Sequence, residues 1–154
     1  MAPGVAERVR PENARVVKLA EKLARLKEDL APFDDPQERL AFLVDRARRA
    51  PSLPPEQRVD ANRVNGCVSV VWLAGRAGPD ACEFLAHADS PVVHGLLRLL
   101  CDFHGGASAA EVADCGIDPL AELGITRDLS PTRVNGLASA RARIREIARA
   151  AITG

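Results

Sequence analysis

The chain has 154 residues, 47% of them hydrophobic and 27% charged, with 21 basic and 21 acidic residues and so no formal net charge. That length fits a single domain able to bury its own core without a disulfide or a structural metal, and the balance of apolar and charged residues excludes intrinsic disorder. A neutral total argues against a dedicated nucleic-acid binder, and 3% aromatics with no Tyr leave no platform for stacking bases.

The first residues, MAPGVAERVRPENARVV, contain no apolar run followed by a small-residue cleavage site, so no secretory signal is expected. The uncharged stretch from Gly66 to Gly75 falls far short of the roughly 18 residues of a membrane span. The expectation is a soluble, cytoplasmic protein whose four cysteines, Cys67, Cys82, Cys101 and Cys115, stay reduced. None of them stands in C-x-x-C spacing, which removes zinc-ribbon and thioredoxin-type motifs.

Residues 1–12, with two prolines and alternating charges, read as a flexible tail, and residues 13–154 as one domain. From Asn13, Val16, Val17, Leu19, Leu23, Leu26 and Leu30 recur at helical spacing. That helix ends near Ala31, because Pro32 disfavours helical backbone before it. A second helix is predicted to start near Asp34 and Asp35, with Asp34 as its N-cap and Pro36 in its first turn, and to bury Leu40, Phe42, Leu43 and Ala47. The Pro-rich stretch from Ala50 to Gln57 makes a loop.

The middle of the chain is the β region. Val68, Val70, Val71 and Trp72 are β-branched or aromatic, Gly75 to Asp80 is turn chemistry, and Cys82, Phe84 and Ala86 alternate with Glu83, Leu85 and His87. This predicts a hairpin of about 68–75 with 81–87, preceded by an Asn65-Gly66 turn and a short strand at Arg63-Val64. Ser90 and Pro91 open a helix to about His104 with Val93, Leu96, Leu97 and Leu100 inward, and Gly105-Gly106 ends it. Ser108 caps a short helix over Ala109 to Ala113, a brief turn spans Asp118 to Leu123, and a last helix runs from Pro131 to about Ala151 with Leu137, Ile144 and Ile147 inward. Helices around a small antiparallel sheet of about three strands make the fold α+β. Residues 102–128 carry six acids and one arginine, whereas 130–154 carry five arginines and one glutamate. The last helix therefore has an arginine face that either pairs with its neighbours or docks an acidic partner.

No H-E-x-x-H, G-x-S-x-G or phosphate-binding glycine loop occurs. His94, Cys101 and His104 fall at i, i+7 and i+10 of one helix, and Cys101 with His104 is a legal metal pair, but a structural zinc site needs about four ligands and no fourth is signalled. Core packing is the simpler account of these residues, and of Cys82. Cys67 differs: it follows Gly66 at a loop tip, where reactive groups are commonly presented. Set against that, a single cysteine is most often a small buried hydrophobe. Trp72 reads as a packing anchor.

The segment Gly66-Cys67-Val68-Ser69-Val70-Val71-Trp72 resembles the SufE/CsdE family, whose segment runs Gly-Cys-x-Ser-x-Val-Trp. Further stretches agree in the same order: Ala88-Asp89-Ser90 before Val93 and Gly95-Leu96-Leu97, then Leu129-Ser130-Pro131-Thr132-Arg133, then Gly136-Leu137. The Glu38-Arg39-Leu40 helix and the Pro-rich loop fit as well, so the likeness covers about residues 15–151. The resemblance implies a sulfur acceptor that takes persulfide sulfur on Cys67 from a pyridoxal-phosphate cysteine desulfurase of SufS or CsdA type, stimulates that enzyme, and passes the sulfur to an iron–sulfur scaffold protein. It implies no cofactor bound by this chain, no nucleic acid and no membrane. Gly66, Ser69, Trp72, Asp89 and Ser90 would belong to the partner-facing loop region, with Arg133 or Arg63 supporting the Cys67 thiolate. Val68 and Val70 depart from the family, where Gln is common; apolar β-branched residues there should strengthen the strand. Two other readings compete. One is an IscU-like cluster scaffold, which needs several converging thiolates. The other is a non-catalytic adaptor docking through the arginine-rich last helix.

Overall fold

The computed structural model describes residues 11–66, 69–78 and 80–153, with the backbone alone described over 11–18. Two expectations fall partly elsewhere: Cys67 and Val68, and residues 1–10 of the expected tail, lie outside the described residues. The elements are α1 (Pro11–Leu30), α2 (Pro36–Arg48), β1 (Val71–Ala77), β2 (Cys82–Ala88), α3 (Pro91–His104), α4 (Ala109–Ala113), α5 (Pro119–Glu122) and α6 (Pro131–Thr153). Short 3-10 turns stand at Pro55–Gln57, Asp60–Asn62 and Thr126–Asp128.

The helix starts follow local chemistry. Five of the six open on a proline, which lacks an N–H where a first-turn N–H would have no helical partner, and Pro11 starts α1 two residues before the expected boundary. Asp35, rather than Asp34, caps α2, accepting from the Gln37 N–H at 3.1 Å, because Pro36 takes the first helical position directly after it. Ser90, Ser108 and Asp118 cap α3, α4 and α5 in the same way.

α3 is the axis of the core. Leu96, Leu97, Leu100 and Phe103 are buried on it. α2 packs against it at Gly95, where a Cβ would come within 3.2 Å of the Val44 backbone. The hairpin lies against another side of α3, and α6 closes the core with Leu137, Ala140, Ile144 and Ala148. Leu19, Leu26 and Leu30 bring α1 onto the same cluster.

The sheet differs from expectation in three respects. It has two strands, β1 and β2, antiparallel, with Val71 opposite Ala88 and Ala77 opposite Cys82. The expected third strand is reduced to one bridge, Arg63 with Trp72, because only Arg63 and Val64 lie between the Asp60–Asn62 turn and the Asn65-Gly66 turn. β1 starts at Val71, so Val70 does not join the strand. Its partner β2 stops at Ala88, where Ser90 turns the chain into α3, and no residue remains to pair with Val70. At the other end, Gly75 and Arg76 are strand residues rather than turn. The Phe84 ring lies over Gly75, and a Cβ there would meet its Cδ1 at 2.4 Å. The glycine serves cross-strand packing of an aromatic ring.

Candidate functional site

The expected site residues fall on two faces of the hairpin. Val64 donates its N–H to the Val71 carbonyl at 2.9 Å, and the Arg63–Trp72 bridge pins the chain beside β1. Asn65 and Gly66 then turn it; Gly66 has φ +90°, a conformation that favours glycine. Two residues after Cys67, Ser69 lines a small cavity of about 40 Å³ with Val71, Val93, Leu97, Thr132, Arg133, Gly136 and Leu137. The walls are β1, α3 and the first turns of α6. Arg133 is exposed and contributes to the lining of an otherwise largely apolar recess. Ser69 and Arg133, distant in sequence, thus meet at one cavity, and Gly66 lies beside the same helix at Ser139.

Trp72 points to the opposite face, as alternation along a strand requires. Its ring centroid is 6.1 Å from that of His87, which stands 5.3 Å from His94 in an edge contact. Asp89, largely exposed, faces His87 with Oδ1 at 3.3 Å from Nε2. Ser90 uses its hydroxyl as the α3 cap, accepting from the Val93 N–H at 3.4 Å. The second group therefore forms the corner where β2 becomes α3.

Three cysteines are free and buried: Cys82, Cys101 and Cys115. Burial raises the thiol pKa of all three, that of Cys101 to about 12. They are held as thiols and are poor nucleophiles or metal ligands. The three residues of the helical metal-pair geometry diverge. His94 Nδ1 accepts the Ala88 N–H at 3.3 Å, whereas the fully buried His104 donates from Nδ1 to the Leu100 carbonyl at 2.8 Å. Among the described residues no group of three His, Cys, Asp or Glu is placed to hold a metal ion. Nor is any described helix long and apolar enough to cross a membrane.

The arginines of α6 divide. Arg133 and Arg149 are exposed, while Arg141, Arg143 and Arg145 are half-buried against the body of the protein. Arg143 Nη2 donates to the Ala61 carbonyl at 2.8 Å. Sequence reasoning passed over His87, Ser139 and Arg143. The signal for the last two was available: Gly136, Ser139 and Arg143 repeat at helical spacing after the matched Arg133 segment.

The architecture is an α+β one in which a glycine turn and the last helix frame a small recess at the start of a two-stranded hairpin. A family model described as SufE, the Fe–S metabolism associated domain, matches residues 24–148. Uncharacterized SufE-like proteins of Rhizobium etli and Rhizobium meliloti are each 30% identical to the chain. The alignments cover 82% and 80% of this chain and 89% and 91% of those proteins. A segment of the chloroplastic quinolinate synthase of Arabidopsis thaliana is 33% identical over 105 residues, 68% of this chain but 15% of that protein. The solution structure of a hypothetical protein from Thermus thermophilus shares the fold, with a TM-score of 0.65 at 23% identity over 89% of this chain and 97% of that one. The chain belongs to the SufE family, and membership implies a role in Fe–S metabolism.

Proposed function

We propose that the protein is a sulfur acceptor and carrier that works with a cysteine desulfurase of SufS or CsdA type in the cytoplasm, through Cys67. The observation that carries the reading is the recess between Ser69 and Arg133: the segment bearing the family motif enters β1 beside a largely apolar pocket to whose lining Arg133 contributes. The three described cysteines are buried with raised pKa values, which makes them poor acceptors for such a transfer.

The chemistry is a thiolate exchange. The Cys67 thiolate attacks the terminal sulfur of a persulfide held on the desulfurase cysteine. A new S–S bond forms to Cys67 as the bond between the terminal sulfur and the desulfurase sulfur breaks, and the desulfurase cysteine leaves as a thiolate, which takes up a proton. No net oxidation occurs. The pyridoxal phosphate that generates the persulfide belongs to the desulfurase, and this chain contributes the acceptor thiol and stimulates turnover by clearing the desulfurase cysteine. The sulfur then passes to a scaffold protein by a second exchange of the same kind. An ordinary cysteine, with a pKa of about 8.5, is only a few per cent thiolate at neutral pH. A guanidinium at the recess favours the thiolate and the anionic persulfide, which is the role assigned to Arg133.

The test is intact mass under non-reducing conditions after incubation with a cysteine desulfurase and cysteine, with wild type beside Cys67→Ser. Added sulfur on wild type alone, together with faster sulfide release by the desulfurase, is the expected result. No added sulfur with desulfurases of both types would overturn the reading in favour of a scaffold or an adaptor.

A further inference from the structure

Gly136, Ser139 and Arg143 follow one another on α6 at spacings of three and four residues, so they form one stripe along the helix. The chain leading into the hairpin runs along that stripe in the opposite direction. Ala61 is tied to Arg143 by the 2.8 Å bond from Nη2 to its carbonyl. Gly66 lies against Ser139, whose Oγ is where a Cβ on Gly66 would come within 2.7 Å. Ser69 meets Gly136 and Arg133 across the small cavity. Ser139 itself donates to the Asn135 carbonyl one turn back at 3.1 Å, which fixes its hydroxyl on the helix surface.

We infer that Ser139 and Arg143 are positioning residues for Cys67: α6 is the seat that holds the backbone on the N-terminal side of the cysteine. The physical logic is that of a backbone laid directly on a helix. Such contact needs a small side chain beneath it, supplied by Ser139, and a glycine above it, supplied by Gly66. It also needs a tie that stops the strand of chain sliding along the helix axis, and the Arg143 guanidinium supplies this by bonding a carbonyl five residues before Gly66. A long arginine reaches that carbonyl from the helix and still leaves the backbone room to pass. The inference rests on the reading of Cys67 as the sulfur acceptor, but its geometry concerns Ala61 to Gly66 and α6 alone.

The experiment is residue-resolved alkylation of the native full-length protein by iodoacetamide, read by peptide mass at each of the four cysteines. Arg143→Ala should raise the Cys67 rate about fivefold, the population shift expected from loss of one hydrogen bond, while Cys82, Cys101 and Cys115 keep their wild-type rates. Arg143→Lys should restore most of the wild-type Cys67 rate, because an ammonium can still donate to the carbonyl. Ser139→Leu, which removes the room for Gly66, should raise the Cys67 rate as Arg143→Ala does. Arg149→Ala, an exposed arginine further along the helix, should match wild type. A wild-type Cys67 rate in both Arg143→Ala and Ser139→Leu would overturn the inference, as would a parallel rise at all four cysteines, which would mean general loosening of the fold. The assay contains no desulfurase, so failure of sulfur transfer would leave this result standing and failure here would leave the transfer result standing.

Discussion

Acid should destabilise this protein through a residue remote from the recess. His104 is fully buried at the end of α3, with its ring edge-on to Phe103 at 5.0 Å. A carbonyl can only accept, so the 2.8 Å contact to Leu100 means that Nδ1 carries the proton and Nε2 is the bare nitrogen. Nε2 is buried and has no hydrogen-bond partner among the described residues. Burial therefore disfavours the imidazolium and lowers the pKa from 6.5 to about 4, with the Arg141 and Lys22 charges adding to the effect and the Leu100 carbonyl and Asp118 opposing it. The unfolded chain binds this proton below pH 6.5 and the folded chain only below about 4, so the contribution is fully present above 6.5 and is lost as pH falls through that window. At 1.36 kcal/mol per pKa unit the loss amounts to roughly 3 kcal/mol, a large fraction of the 5–15 kcal/mol that is typical of a domain. The assay is urea unfolding at pH values from 7.5 to 4 for wild type and His104→Asn, which keeps an N–H near the Nδ1 position but cannot titrate. Carboxylates and His94 contribute to both proteins, so the difference between the two curves isolates His104. It should narrow by roughly 3 kcal/mol on acidification; parallel curves would refute the assignment of a neutral, unpartnered imidazole.

Three further outcomes follow from other parts of the molecule. Arg133→Ala should slow both sulfur uptake on Cys67 and its alkylation at pH 7, by up to about tenfold; stopped-flow alkylation across pH 6–9 measures it, and an unmoved profile would remove Arg133 from the mechanism. Gly75→Ala should cost about 1–3 kcal/mol by overpacking, since the new Cβ would sit 2.4 Å from Phe84 Cδ1; chemical denaturation gives the figure, and a neutral effect would mean the Phe84 ring moves freely. Ser90→Ala should cost about 1 kcal/mol through loss of the α3 cap, with sulfur uptake kept near wild type if the side chain serves the helix alone. A thermal melt paired with the intact-mass assay separates those two roles.

The helices were legible because each carries its own punctuation. Pro36, Ser90-Pro91, Ser108 and Asp118 mark starts by chemistry that acts over three or four residues, and the leucine spacing of α3 names its buried face directly. The hairpin was legible as a hairpin but not in its limits. Gly75 carries the composition of a turn, and only the position of the Phe84 ring across the sheet shows that it belongs in the strand. The third strand failed for a comparable reason: Val64 is β-branched, yet two residues between two turns support a single bridge. The site was half legible. Its motif residues stand together in sequence, but the separation of Trp72 and Asp89 from Ser69 and Arg133 depends on which side of the hairpin the packing leaves each of them.

Local order, the helical and strand periods, the capped helix starts and the family motif around Cys67 are properties of short stretches of chain, and the sequence by itself determined them. The tertiary structure alone decided what meets across long separations: Arg143 with Ala61, Ser139 with Gly66, Arg133 with Ser69, and the burial of His104 with one nitrogen unsatisfied. Those pairings arise because α6 must cover the apolar faces of α3 and β1 at once. The side chains left along its edge then face whatever backbone the packing brings beside them, which no local pattern encodes.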